Sequence, residues 1–208
     1  MKKNLPALAV VSAAILWSLD GYIRQNLFAL PSFLIISLEH VIGAIIFFPL
    51  LIKGWTEIYT LSQRGWISVL WISICGGVLG TFFYTKALSY VEYIDLSVVV
   101  LLQKLQPFFA IALAAVILRE KITKRFFILA VTAVVGGYLI TFGNNPIANW
   151  NDKTIIAALL ALLAAFSWGS STVLGKHALN QISFMTITAL RLTITAAITL
   201  FIIISNSQ

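Results

Sequence analysis

The sequence predicts an all-α integral membrane protein: a bundle of seven transmembrane helices, made of a first five-helix repeat plus the start of an inverted second repeat. Composition is the first reason. Of the 208 residues, 60% are hydrophobic and only 10% charged, a balance that a water-facing surface and a buried core could not share. Run length is the second, because a bilayer core about 30 Å thick takes roughly 20 apolar residues per helix, and runs of that order recur along the chain between short polar breaks. The third is self-similarity between an early and a late stretch, described below. Strand-like alternation is weak, and in lipid every backbone amide must find a partner inside its own segment, which selects helices.

The first run, 5–27, follows Lys2 and Lys3. A cleaved leader would have the same charged start, but this stretch continues through Trp17 and Leu19 and has a counterpart later in the chain. The second run, 31–52, opens at Pro31 and carries Glu39 and His40. The third, 66–88, contains Ser73, Gly76, Gly77 and Gly80 at helical spacing, a pattern that close helix packing explains. The fourth, 94–118, contains Gln103, Lys104, Gln106 and Pro107. Proline removes one helical hydrogen bond and frees the carbonyl of Gln103, so a kink is expected near Lys104. The fifth, 126–142, has Thr132, Ala133, Gly136 and Gly137 in another small-residue stripe. A polar stretch rich in turn residues precedes the sixth run, 155–174, and the seventh, 184–204, contains Arg191.

AILWSLDGYIR, beginning at Ala14, matches AFSWGSSTVLG, beginning at Ala165, so that Trp17 falls on Trp168. With one residue of slip, LEHVIGA from Leu38 falls on LRLTITA from Leu190. Helices one and two thus correspond to helices six and seven, and the repeat unit is five helices. An odd number inverts the second copy in the membrane. The expected units are a first repeat over 5–142, an external linker over 143–154, and the first two helices of an incomplete second repeat over 155–208. A ten-helix protein would need roughly 80 further residues.

The net charge of +7 would suggest nucleic acid in a soluble protein, so the placement of the cations decides its meaning. With the N-terminus inside, Lys2, Lys3, Lys53, Arg64, Arg119, Lys121, Lys124, Arg125 and Lys176 are cytoplasmic, whereas Arg24, Lys86 and Lys153 fall outside. That is the positive-inside pattern of a multi-pass protein of the cell or inner membrane, and it argues against a nucleic-acid partner. Cys75 is the single cysteine. His40 and His177 lack a matching ligand set, so neither a metal nor a cofactor is expected.

Asp20, Glu39, Lys104 and Arg191 lie within apolar runs and sum to zero charge. Each costs about 2.5–3.5 kcal/mol at the centre of a membrane helix on insertion scales, so they should pair or face a hydrated cavity. Trp17, Asp20, Gly21 and Arg24 share one helical face, and their counterparts are Trp168, Ser171, Thr172 and Gly175. Glu39 and Arg191 are repeat counterparts too, which invites either mutual pairing or capture of a zwitterion. Trp17, Asp20, Glu39, Gln103, Lys104, Gln106, Trp168, Ser171 and Arg191 are therefore the candidate substrate-binding residues, with Lys104 beside the Pro107 kink foremost. No catalytic set is expected.

The passage LQPFFAIALAAVILREKITKRFFILAVTAVVGGYLI, with Leu118, Glu120, Lys121, Ile122, Thr123 and Gly136 carrying a Leu-x-Glu-x-x-Thr turn and a glycine-bearing helix, resembles the EamA-domain members of the drug/metabolite transporter superfamily. The tryptophan early in each repeat is similar to the family pattern. The family often has arginine near the start of helices two and seven; Arg191 fits, while Glu39 and His40 occupy the other position. The resemblance implies ten helices in two five-helix repeats and secondary transport of small metabolites, such as amino acids or related compounds, by alternating access. The partners expected are a small-molecule substrate and the lipid bilayer, with a homodimer as the protein partner considered. A seven-helix receptor or sensor is the alternative, although a retinal-type Schiff base would need a lysine where helix seven has Arg191.

Overall fold

The computed structural model describes residues 5–27, 29–119, 121, 123–142 and 151–206, and among these all regular structure is helical. Helix α1 spans Leu5–Gln25. Helix α2, Ser32–Lys53, starts after Pro31, whose fixed φ suits a helix entry, and ends at Gly54. The short α3, Trp55–Tyr59, follows. The third crossing is one continuous helical rod in three parts: α4 (Gln63–Trp71), a π-helical stretch (Ile72–Leu79) and α5 (Gly80–Leu88). The fourth is broken into α6 (Leu96–Gln103) and α7 (Gln106–Ile117). Then come α8 (Lys124–Phe142), α9 (Asp152–Leu174), α10 (Lys176–Leu179) and α11 (Phe184–Ser205). Ser62, Asn151 and Ser183 cap α4, α9 and α11 by accepting the N–H of Gly65, Thr154 and Thr186, which satisfies amides that a helix start leaves open.

Six helical runs among the described residues are long and apolar enough to cross a membrane: Ala7–Arg24, Ser32–Lys53, Gln63–Leu88, Leu96–Ile117, Asp152–Leu179 and Phe184–Ser205. The chain is thus a multi-pass helical membrane protein. The expected fifth crossing is helical as α8, but its apolar stretch, Phe127–Gly136, is shorter than the others. Most of the expected linker at 143–154 lies outside the described residues, as do Glu120 and Ile122 of the turn.

Helix α9 is the centre of the packing, lying against α5, α6, α7 and the π-helical stretch, while α2 packs along α11. Ala157, Ala161, Ala164 and Ala165 of α9 are fully buried, because small side chains let membrane helices approach closely. Two apolar clusters result. One joins Leu51, Ile58, Leu61, Val69, Ile182 and Leu190 at the end where α3 meets α11 and α10 meets α4; the other joins Tyr84, Leu88, Val99 and the α9 alanines. Two polar ties close the first end: Ser183 N–H donates to Glu57 Oε2 at 2.7 Å and Ser62 N–H to Gln181 Oε1 at 2.9 Å. At the other end Thr154 Oγ1 donates to the Tyr93 carbonyl at 2.9 Å.

The two small-residue stripes behave differently. In the third crossing a Cβ on Gly77 would stand 3.0 Å from Cβ of Thr195, and one on Gly76 would stand 3.0 Å from Cβ of Ser171, so the expected close packing is present. In α8 a Cβ on Gly136 would meet nothing within 4 Å. Close packing does not explain that glycine among the described residues, where α8 touches α6 alone to any extent.

Candidate functional site: a charge-balanced cavity

Asp20 and Arg24 stand four residues apart on α1, acid first, the favoured order for a helical ion pair. That spacing positions the guanidinium to receive Asp20 on two nitrogens, Nη2 to Oδ1 at 2.9 Å and Nε to Oδ2 at 3.2 Å. Nη2 also donates to Glu39 Oε2 of α2 at 3.1 Å, and Nη1 to Thr85 Oγ1 of α5 at 3.0 Å. Arg24 is 6% exposed, whereas the side chains of Asp20 and Glu39 keep 36% and 46% of their surface. One planar cation thus ties three helices together, a task suited to the rigid fork of arginine.

This cluster forms one wall of a cavity of about 460 Å³. Trp17 of α1, His40 of α2, Gln106 of α7, Trp168, Ser171 and Thr172 of α9 and Arg191 of α11 line the rest of it. The Trp17 and Trp168 rings meet edge to face, centroids 6.1 Å apart at 84°, and Tyr84 lies 5.4 Å from Trp168. The Trp168 indole N–H donates to the Gly76 carbonyl at 2.9 Å. This approach depends on the π-helical turn, in which the Gly80 N–H bonds five residues back to Cys75 and widens the rod. It also depends on Gly80 lacking a side chain, since a Cβ there would lie 2.5 Å from the indole nitrogen. His40 Nδ1 is 2.9 Å from the Ile36 carbonyl; a carbonyl only accepts, so Nδ1 carries the proton and Nε2 is the nitrogen left to the cavity.

Of the nine candidate residues, Trp17, Asp20, Glu39, Gln106, Trp168, Ser171 and Arg191 line this cavity. Gln103 is buried behind it, donating to Gln106 Oε1 at 3.3 Å. Lys104 does not belong to the lining. The helix breaks at Lys104 and Leu105, with Pro107 in the first turn of α7, and the kink carries Lys104 to an exposed position with its ammonium 5.0 Å from the Trp17 ring centroid. The kink was expected; the absence of Lys104 from the lining, beside the lining residue Trp17, was not. Glu39 pairs with Arg24 rather than Arg191, and no carboxylate lies within 4.0 Å of Arg191 among the described residues. Arg24, His40, Thr81 and Tyr84 join the cavity without having been candidates. Arg24 was legible from its spacing to Asp20 but reads as a flanking loop charge when cations are counted by side.

A second, largely apolar cleft of about 320 Å³ lies between α1 and α2, lined by Ile23, Leu27, Ile35, Leu38 and Ile42. Asp20, Arg24 and Glu39 line both spaces, so the ion cluster is the partition between them. Among the described residues, no group of three or more His, Cys, Asp or Glu could hold a metal.

The EamA-like transporter family model matches residues 4–142 and 155–208. The chain is 38% identical over 202 residues to "Riboflavin transporter ImpX" of Fusobacterium nucleatum subsp. nucleatum, covering 96% of this chain and 67% of that protein. It is 27% identical over 148 residues to "Riboflavin transporter" of Brucella anthropi, covering 71% of this chain and 48% of that protein. No solved structure matches. With nearly every residue of its membrane-crossing helices inside the family match, the chain belongs to the EamA-like transporter family.

Proposed function

We propose that the chain carries a small, planar, polyol-bearing metabolite of the riboflavin type across the cell membrane by alternating access around the cavity between α1, α2, α9 and α11. The cavity itself carries this reading. Its volume falls in the range of about 300–1,000 Å³ usual for small-molecule sites, and it combines aromatic rings with amide, hydroxyl and paired charged groups inside membrane-crossing helices. The names of the two relatives point to riboflavin rather than to the amino acids that the family resemblance first suggested. Nothing in the comparisons favours a seven-helix receptor. Substrate is bound by Trp17, Trp168, Gln106, Ser171 and Arg191 in this reading, while Asp20, Arg24 and Glu39 hold the helices in register.

The orientation proposed has the N-terminus in the cytoplasm, α8 as a seventh crossing and two inverted repeats over 5–142 and 155–208. Parity supports the seventh crossing. Tyr93 and Thr154 meet at one end of the bundle, so a chain that crosses from 96 to 117 must return before α9 begins. Helix α8, with 19 residues, spans about 28 Å at about 1.5 Å per residue, close to the hydrocarbon thickness.

Uptake of radiolabelled riboflavin into vesicles containing the intact transporter tests the function. Saturable uptake is expected, lowered at least about tenfold by Trp168→Ala. Vesicles that take up riboflavin no faster than empty ones would refute the substrate assignment.

A further inference from the structure

We propose that Arg191 and His40 together recognise a cyclic imide edge on the substrate, the carbonyl, N–H, carbonyl sequence that a flavin ring carries; this rests on the flavin reading above. Arg191 lines the cavity, and among the described residues it has no carboxylate within 4.0 Å. Arg24 spends four of its donors on Asp20, Glu39 and Thr85. Arg191 makes no hydrogen bond to another described residue, so the N–H fork of its guanidinium is open to a ligand. His40 offers the opposite polarity. It is 4% exposed, and with Nδ1–H given to the Ile36 carbonyl the neutral ring presents Nε2 to the cavity as a lone pair.

The fold sets these two groups on either side of one helix contact. Helices α2 and α11 pack antiparallel, since a Cβ on Gly54 would meet Thr186 and one on Gly43 would stand 3.1 Å from Leu192 Cδ2. Arg191 adjoins Leu192, and His40 lies just under one turn before Gly43. The cation and the lone pair thus flank a single close approach, one from each helix. A carboxylate or other anion would satisfy Arg191 but would set an acceptor against Nε2. An imide satisfies both, because its N–H stands between two carbonyls in the ring plane: a carbonyl accepts from the planar guanidinium, and the N–H donates to Nε2. The hydroxyls of Ser171 and Thr172, which donate to the Trp168 carbonyl at 3.2 and 2.9 Å, keep lone pairs that can accept from the polyol.

Competition against labelled riboflavin on the intact transporter in vesicles tests this, at about pH 8, where an imidazole of ordinary pKa, about 6.5, is neutral. The competitors are riboflavin and its analogue methylated at the imide nitrogen, which keeps the rings, both carbonyls and the polyol but has no N–H to donate. The analogue should compete at least about tenfold more weakly in the wild type, because it leaves Nε2 unpaired. His40→Leu keeps the bulk and removes the acceptor, while the Ile36 carbonyl retains the backbone N–H of its helix. In that variant riboflavin should weaken until the two compounds agree within about threefold. Arg191→Gln, which strands no partner within the protein, should weaken both compounds at least about tenfold and preserve the gap between them. Equal competition by the two compounds in the wild type would overturn the proposal while leaving riboflavin transport intact. A gap that persists in His40→Leu would overturn it as well, since the methyl group would then act by its bulk, and so would unchanged riboflavin affinity in Arg191→Gln. Absence of riboflavin binding in the wild type would remove the flavin reading and this inference together.

Discussion

Arg24 is the side chain on which the site's geometry most depends. Its four hydrogen bonds reach α1, α2 and α5, and removing it leaves two carboxylates facing one another with nothing between. Breaking a buried ion pair costs about 3–5 kcal/mol, and the partial exposure of Asp20 and Glu39 brings the expected loss for Arg24→Gln down to about 2 kcal/mol. The measurement is thermal stability in detergent, with Arg24→Lys recovering only part of the loss because an ammonium cannot fork. Retention of full stability in Arg24→Gln would remove the role of hub. Lys104→Met is expected to change riboflavin uptake less than Trp168→Ala does, since an exposed cation–π contact contributes about 0.5–1 kcal/mol. Depth along the helix made Lys104 conspicuous in the sequence, as a charge in an apolar run must. Its absence from the lining was not legible, because the turn at Lys104 and Leu105 sets where the side chain goes, and the order of residues does not record that geometry. Trp17 and Trp168 were legible for the opposite reason: an internal repeat pairs positions that pseudo-symmetry brings together.

At the scale of elements, the π-helical stretch and α11 illustrate packing that the glycine pattern foretold and register that it did not. Gly77→Ala would force a methyl group against the Thr195 side chain, 2.8 Å from its Cγ2 and 3.0 Å from its Cβ. Overpacking of this kind costs about 1–3 kcal/mol, measurable as a lowered unfolding midpoint, whereas Gly136→Ala on α8, where the space is open, should be silent. Equal effects at the two glycines would contradict the packing described. Outside the crossings, the Ser183 N–H, joined by the Thr186 and Ser183 hydroxyls, holds the Glu57 carboxyl below its ordinary pKa, and partial desolvation opposes the shift. The sign follows from linkage: a carboxylate lowered in the folded state stabilises above its unfolded pKa and loses that contribution as pH falls through the folded value. Acidification below pH 4.5, the ordinary value for this carboxyl, should therefore loosen the junction of α3 with α11 in the wild type, and Glu57→Ala should show the loosened state at neutral pH. Hydrogen exchange at Ser183 reads both; equal protection in wild type and variant at neutral pH would show that Glu57 holds nothing.

For the whole molecule, the arrangement of ends is the testable quantity. In a Cys75→Ser background, single cysteines at Glu92, Lys124, Asp152 and Lys176, all exposed, should divide two and two. Those replacing Glu92 and Asp152 should react with an impermeant reagent on intact cells, and those replacing Lys124 and Lys176 should not. Labelling of Lys124 and Asp152 from the same side would rule out α8 as a crossing. Labelling of Lys176 in place of Glu92 would reverse the orientation and the repeat inversion with it. Most of the helical architecture was legible because lipid leaves a chain few choices, and the expected apolar runs agree with the helix bounds to within a few residues. The break after Gln103 was legible from Pro107. The π-helical stretch was not, since Gly76 and Gly77 fit ordinary close packing equally well.

The two partners that Arg24 takes from other helices differ in kind from the one it takes from its own. Asp20 travels with Arg24 on α1, so a rigid displacement of that helix preserves their bond and breaks only those to Glu39 and Thr85. Helix α1 is little enclosed by protein, with 11% of its window buried. Any such displacement would therefore leave α1 electrically neutral and strip Glu39 of its nearest counter-ion, with Arg191 as the charge remaining to it. A sideways step of one helix would then act as a charge relay: without moving a single ion across the bilayer, it would transfer the attraction of Glu39 from Arg24 to Arg191.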